Sequence, residues 1–140
     1  MYKRRRQPPI EEAWTRTADI LDALAREAAA NGSRFAVVYV PSRMEVSDRD
    51  WELTKLSYGL DESVWDRGLV ARRVQEIGTA GGFPVLDLTP ALREATGPVV
   101  GEPYLLYDGH WNARGHRAAA GAVAAFLSGQ GWVAPCGRPG

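Results

Sequence analysis

The sequence predicts an α/β fold in which helices cover both faces of a parallel sheet. Residues 35–40 and 85–88 are two apolar runs without alternation, which is typical of strands buried on both faces. Apolar positions spaced by three and four residues precede and follow each run, as in amphipathic helices. Strands that alternate with helices favour parallel pairing over hairpins.

The first helix is expected from residue 10 to residue 30. Pro8-Pro9 suits its first turn, and Asn31-Gly32 provides a stop signal. The first strand follows at residues 35–40, and Pro41 ends it. Apolar positions recur at helical spacing, namely Trp14, Ala18, Leu21, Leu24, Ala25 and Ala28.

The middle of the chain predicts two further helices. Ser47 and Asp50 have the S-x-x-D form of a helix start, and the helix breaks at Gly59. A second helix is expected over residues 66–77, with Gly78 and Gly81-Gly82 ending it.

After the second strand, Thr89 is expected to cap a short helix with Pro90 at its first position. A Gly/Pro loop over residues 97–103 leads to a short apolar run at residues 104–107. Asn112 is expected to cap the last helix, whose buried face carries Gly115, Ala118, Ala119, Ala122, Val123 and Phe126.

The sheet is expected to be incomplete, because sheets usually hold about five strands and this sequence shows two convincing ones. Either the domain is part of a larger α/β unit, or a second copy completes the sheet as a homodimer. The expected organisation is a basic disordered tail at residues 1–9, one α/β domain at residues 10–130 and a flexible tail at residues 131–140.

Composition excludes several classes of partner. The 17 basic and 17 acidic residues cancel, so neither nucleic acid nor a membrane surface is indicated, and the run at residues 3–6 is interpreted as a solvated tail. No apolar run approaches the roughly 20 residues of a membrane span, and the first residues lack the pattern of a signal peptide. The one cysteine, Cys136, leaves the compartment unknown.

Asp108 and His110 form the strongest functional signal. They lie between a strand-like run and a helix start, which is where ligands bind in α/β sheets. A carboxylate that accepts a hydrogen bond from one imidazole nitrogen leaves the other free to take a proton from a nucleophile. An isolated D-G-H would favour a structural turn, but its position between a strand and a capped helix indicates the acid–base end of a hydrolase site.

Residues 106–116, Leu-Tyr-Asp-Gly-His-Trp-Asn-Ala-Arg-Gly-His, resemble the last conserved block of the SGNH (GDSL-type) hydrolase superfamily. The resemblance covers most of residues 13–128. It implies a three-layer α/β/α, flavodoxin-like fold with a parallel sheet. It also implies an ester hydrolase or O-acetyl transferase that acts on an ester or an O-acetylated small molecule or carbohydrate, without a cofactor. In that family the block carries the catalytic aspartate and histidine, here Asp108 and His110.

Two departures from the family pattern stand out. Asp108 precedes His110 by two residues, whereas D-x-x-H is usual; the shorter spacing is similar to the acetyltransferase and acetylesterase branches that act on polysaccharides. No G-D-S block is present, so the nucleophilic serine is expected before Met1. Ser42 follows a buried strand but lacks the small neighbours of a nucleophile elbow, and a turn is its default interpretation.

Other interpretations remain open. Asp108, His110 and His116 would give two histidines and a carboxylate for zinc or iron, although they need not converge, and no metal site is predicted. Trp111 and Asn112 are candidate substrate-binding residues; packing under the loop also explains Trp111. The competing function is a non-catalytic, degenerate α/β binding module. An in-frame G-D-S block in the upstream DNA would favour the enzyme.

Overall fold

The computed structural model describes residues 2–5, 8–97, 103–105 and 107–133. In chain order the elements are α1 (Pro8–Ala30), β1 (Val37–Tyr39), α2 (Arg43–Val46), α3 (Asp48–Tyr58), α4 (Leu69–Gly81), β2 (Val85–Asp87), α5 (Thr89–Glu94) and α6 (Ala113–Gly129). Helices alternate with short strands, so the predicted α/β class is confirmed at this level.

The sheet of the described residues consists of β1 and β2, which pair in parallel with Val38 opposite Leu86. The amide of Leu88 donates to the carbonyl of Tyr39 at 3.2 Å and extends the pairing by one step. The expected apolar run at 104–107 adds an isolated antiparallel bridge between Tyr104 and Trp111 instead of a third parallel strand. Leu106 lies outside the described residues, as do most of the 97–103 loop, Cys136 and residues 134–140.

Helix α4 runs past Gly78, so the predicted stop at that residue is wrong. Gly78 is buried, and a Cβ built on it would lie 2.3 Å from Cγ2 of Val85. The glycine therefore allows the helix to approach β2, and Gly82, with φ +70°, ends the helix in the left-handed conformation.

The start of α5 also differs from the prediction. Thr89 is the first helical residue, Leu88 precedes the helix as its cap, and Pro90 is in the second helical position. The amide of Thr89 donates to Oδ1 of Asp87 at 2.8 Å. The aspartate at the end of β2 therefore provides the acceptor that a capping side chain would otherwise give to a free N–H at the start of the helix.

The core joins α2, α5, α6 and the loop that precedes α6. Leu92 is fully buried, and the small-residue face of α6 packs here as predicted, with Gly115 and Ala119 buried. A Cβ on Gly115 would lie 2.5 Å from the carbonyl oxygen of Pro103, so only glycine lets the loop pass this close to the helix. The buried cluster comprises Val46, Leu88, Leu92, Tyr104 and Ala119.

Residues 2–5 contact the segment before α4. Lys3 forms an isolated bridge with Trp65, and its ammonium lies 5.1 Å from the centre of the indole ring. Arg4 pairs with Asp66 at 3.0 Å. These contacts place the described part of the basic run against the domain. Within the described ranges, no helix has the length and apolar character needed to cross a bilayer.

Candidate active site

The candidate catalytic pair lies at the tip of a narrow loop between the core and α6. Two backbone hydrogen bonds close the loop, from Leu105 N–H to the carbonyl of His110 at 2.8 Å and from Asn112 N–H to that of Pro103 at 2.9 Å. The buried Tyr104 hydroxyl donates to the carbonyl of Pro41 at 2.7 Å. The loop is thereby held beside the carboxyl end of β1, where α/β folds place their sites.

Asp108 and His110 are in contact. Oδ1 of Asp108 accepts the backbone N–H of His110 at 2.8 Å and lies 3.2 Å from Nδ1 of its ring. The His110 side chain is 85% exposed, and within the described part of the chain no group forms a hydrogen bond with Nε2 of its ring. One ring nitrogen is oriented by the carboxylate and Nε2 is open, as in the orienting half of a triad.

The electrostatics of Asp108 favour its ionised form. The hydrogen bond from the His110 backbone N–H holds the pKa of Asp108 below its usual range. Slight desolvation acts the other way, and the His110 ring adds a smaller lowering. The carboxylate is therefore available as an acceptor for the imidazole across the neutral and mildly acidic range.

Carbon-detected NMR titration of the Asp108 carboxyl is expected to give a midpoint below that of the same residue in urea-unfolded protein. Since the folded pKa is the lower one, the associated stability is present above the unfolded pKa and is lost as the pH falls through the folded pKa. His110→Ala keeps the backbone N–H and is expected to keep most of the depression. A folded midpoint at or above the unfolded one would contradict this assignment.

A groove of about 460 Å³ lies beside the pair, between α2, α3 and the loop. Two sequence-predicted residues, Asp108 and Ser42, line the same cavity. The lining residues are Ser42, Arg43, Met44, Asp50, Leu53, Thr54, Ser57, Tyr58, Tyr107, Asp108 and Gly109.

The hydroxyl of Ser42 is committed to a helix cap. Oγ of Ser42 donates to Oε2 of Glu45 at 2.8 Å, and the Ser42 amide donates to the same oxygen at 2.7 Å. Glu45 is 3% exposed and also accepts the Tyr39 hydroxyl at 2.5 Å. Burial and this carboxylate raise the pKa of Tyr39. Ser42 therefore lines the groove, but its hydroxyl is hydrogen-bonded to Glu45. None of the described hydroxyl groups forms a hydrogen bond with the His110 ring.

A match to a protein-family model extends over almost the whole chain and identifies the family. Residues 1–137 match the family model described as SGNH hydrolase-like domain, acetyltransferase AlgX. The chain belongs to this family. The match confirms the expected SGNH relationship over nearly the whole chain. No curated protein and no solved structure gives a significant match.

In this SGNH hydrolase-like domain, Trp111 and Asn112 have structural partners. Trp111 is half-buried and packs against the core cluster, and its ring meets that of His116 edge-on at 5.6 Å. Asn112 caps α6 as predicted, because its Oδ1 accepts the amides of Arg114 at 2.9 Å and Gly115 at 3.1 Å. A role for either residue in substrate binding remains a prediction.

The metal hypothesis finds no assembled ligand set in the described residues. No group of three or more histidine, cysteine or acidic side chains is placed there to hold an ion. His116 faces the Trp111 ring from the first turns of α6, at a helix position that differs from the loop tip of His110.

The sequence did not identify Glu45, which accepts the hydroxyl of the groove residue Ser42, or Asp50, which lines the groove, as parts of the site. Ser42 and Glu45 have the S-x-x-E spacing of a capping box, a signal that identifies Ser42 as a helix start. Asp50 was assigned to the cap of α3, and its backbone amide does donate to Oγ of Ser47 at 3.1 Å. Its carboxylate instead lies near Arg43, and only the tertiary structure shows that it lines the groove.

Proposed function

We propose that this domain supplies the acid–base half of a serine-type acyl-transfer site that hydrolyses or transfers an acetyl ester. One observation carries the proposal: Oδ1 of Asp108 holds both the backbone and Nδ1 of His110, with Nε2 open. Membership of a family described as SGNH hydrolase-like and acetyltransferase supports the same chemistry.

In the proposed reaction, Nε2 of His110 takes the proton of a serine hydroxyl as its oxygen attacks the ester carbonyl. Asp108 keeps the imidazole oriented and stabilises the imidazolium. The imidazolium then protonates the departing alcohol, which leaves an acyl-enzyme. Water or an acceptor hydroxyl then loses its proton to His110 and attacks the acyl carbon, and the imidazolium returns this proton to the serine oxygen as the acyl–oxygen bond breaks.

The nucleophile in this proposal comes from outside these 140 residues. Two described serines, Ser42 and Ser57, line the groove with Asp108, and the hydroxyl of Ser42, which follows β1, already donates to Glu45. We propose that the segment carrying the serine also completes the three-layer α/β/α, flavodoxin-like sheet, of which β1 and β2 are a part. The mechanism requires no cofactor.

The proposed substrate is an ester or an O-acetylated small molecule or carbohydrate, held in the groove beside Asp108. The alternative function is a binding module without catalysis. The His110 side chain is 85% exposed in this chain, and this exposure favours the binding module if no serine reaches the ring. Acyl-transfer assays distinguish the enzyme from the binding module, because a binding module does not turn over an ester substrate.

The proposal is tested with the polypeptide encoded by the longest reading frame that contains these residues, using p-nitrophenyl acetate. Asp108→Asn is expected to lower kcat about 10³- to 10⁴-fold, because the imidazole loses its orienting charge. Ser42→Ala is expected to keep turnover within about threefold, since an external serine attacks and water can fill the cap. Asp19→Asn on the exposed side of α1 is the matched control.

Two outcomes of that assay contradict the proposal. Wild-type turnover that Asp108→Asn leaves unchanged would remove the dyad from the mechanism. Turnover that disappears in Ser42→Ala, in a variant that still melts cooperatively, would make Ser42 the nucleophile.

We further propose that the 140-residue chain by itself forms a homodimer. Strand β2 pairs with one side of β1, and in the described structure no strand pairs with the other, while Val38 and Val40 are 41% and 55% exposed. Open edges and apolar surface favour self-association. Light scattering at micromolar concentration is expected to give twice the chain mass, and Val38→Lys to give a monomer, with Leu56→Lys as control. A wild-type monomer would contradict the proposal.

A further inference from the structure

Two exposed tyrosines line the groove beside Asp108. Tyr58 is the last residue of α3 and is 77% exposed, and Tyr107 directly precedes Asp108 in the loop and is 96% exposed. They come from distant parts of the chain and meet at one cavity. Among the described residues, no aromatic ring and no cation stacks on either phenol ring. Packing within the domain therefore does not explain why two aromatic rings lie at this groove.

Exposed aromatic rings at a cavity favour the binding of an apolar surface. A phenol ring in water keeps its apolar faces hydrated, and covering a face with apolar atoms releases that water. Ligand sites combine such rings with a few polar groups that orient the ligand. This groove has that composition, because Thr54 and Ser57 line it together with the two tyrosines. Its volume of about 460 Å³ lies in the range of about 300–1,000 Å³ that is typical of small-molecule sites.

The rings favour a flat ligand over a flexible one. An aromatic face makes the most van der Waals contact with a second flat, apolar surface. A saturated six-membered ring with equatorial substituents has such faces, formed by its axial C–H bonds, and its polar groups lie at the edge. An acyclic polyol has no rigid face and loses more conformational freedom when it binds.

We propose that Tyr58 and Tyr107 are specificity-determining residues that hold the alcohol part of the ester by the apolar face of a six-membered ring. Because Tyr107 directly precedes Asp108, a ring held there lies beside the loop tip that carries His110. The inference rests on the proposed function, since it names the ring-bearing alcohol that the same site accepts. Neither tyrosine takes part in proton transfer.

The test compares two neutral acetyl esters, glucose pentaacetate and glycerol triacetate, with the polypeptide encoded by the longest reading frame that contains these residues. Both esters are fully acetylated polyols, and only the first has a six-membered ring. Tyr107→Ala is expected to raise KM for glucose pentaacetate about three- to tenfold, the effect of losing one stacked ring, and to leave kcat within about twofold. For glycerol triacetate, KM is expected to stay within about twofold of the wild-type value.

Matched variants separate the ring from the hydroxyl and from general exposure. Tyr58→Ala is expected to give the same selective rise in KM. Tyr58→Phe and Tyr107→Phe keep the rings and are expected to retain the wild-type KM. Leu56→Ala is the control, because it truncates an exposed apolar side chain of α3 that does not line the groove. All three positions are exposed, so the variants are expected to fold, and a cooperative melt verifies this.

A binding measurement on the 140-residue chain needs no turnover. Methyl β-glucopyranoside is expected to shift the amide NMR signals of Ser57 and Gly109 in a saturable way, and Tyr107→Ala to weaken this binding about three- to tenfold. Glycerol at the same concentration is expected to give no saturable shifts. A failure of the esterase assay therefore leaves ring binding testable, and a failure of ring binding leaves the Asp108–His110 mechanism standing.

Four results would overturn the inference. They are an equal rise in KM for both esters in Tyr107→Ala, an unchanged KM in both alanine variants, a phenylalanine variant as impaired as its alanine counterpart, and no saturable shifts with the glucoside.

Discussion

Replacing His110 with alanine is expected to lower acyl transfer by at least about 10³-fold in the polypeptide that carries the serine. The imidazole is the one described group held by Asp108 and open at its second nitrogen, so without it no base accepts the serine proton. The rate of p-nitrophenol release under single-turnover conditions measures this loss. Because the side chain is 85% exposed, the variant is expected to fold normally.

His116→Ala is the matched control for that experiment. It removes the other histidine, six residues along the chain, whose ring contacts Trp111 instead of a carboxylate. Its rate is expected to stay within a few-fold of the wild type. Millimolar imidazole is expected to restore part of the activity of His110→Ala and none to Asp108→Asn. A His110→Ala enzyme with wild-type turnover would refute the assigned role.

Replacing Leu92 with alanine is expected to have the largest effect on stability, about 2–5 kcal/mol in the free energy of unfolding. Leu92 is fully buried at the junction of α5 and α6, and its core cluster includes Tyr104 of the loop that carries the candidate pair Asp108–His110. The substitution leaves a cavity that these neighbours fill only in part. Urea denaturation followed by circular dichroism measures the change.

Leu56→Ala provides the comparison within the same protein. Leu56 is 81% exposed on α3, so its truncation is expected to change the free energy of unfolding by less than about 0.5 kcal/mol. Equal effects at the two positions would mean that the α5–α6 junction is not the stabilising core. Loss of the Tyr104 to Pro41 hydrogen bond in Leu92→Ala would further displace the site loop from β1.

Local sequence signals determined most of the element order. These signals depend on neighbours within about four residues, so the sequence shows them without the tertiary structure. They are the helical spacing, the asparagine cap of α6 and the two apolar runs. The wrong end of α4 arose where a distant contact competes with a local preference. Gly78 has the character of a stop, yet it lies inside α4 because Val85 of β2 leaves no room for a Cβ.

For the site, the sequence by itself determined which two residues form the candidate pair and predicted their chemistry. Asp108 and His110 are two residues apart, so their hydrogen bond is local, and the surrounding block indicates the SGNH family. The tertiary structure alone decided which residues accompany them. The groove brings residues of α2 and α3 next to the loop tip, although about 50 to 65 positions separate them in the chain, and no local pattern predicts such a contact. Asp50 shows the consequence, since its spacing from Ser47 indicates a cap, while the tertiary structure places its carboxylate beside Arg43 in the lining of the groove.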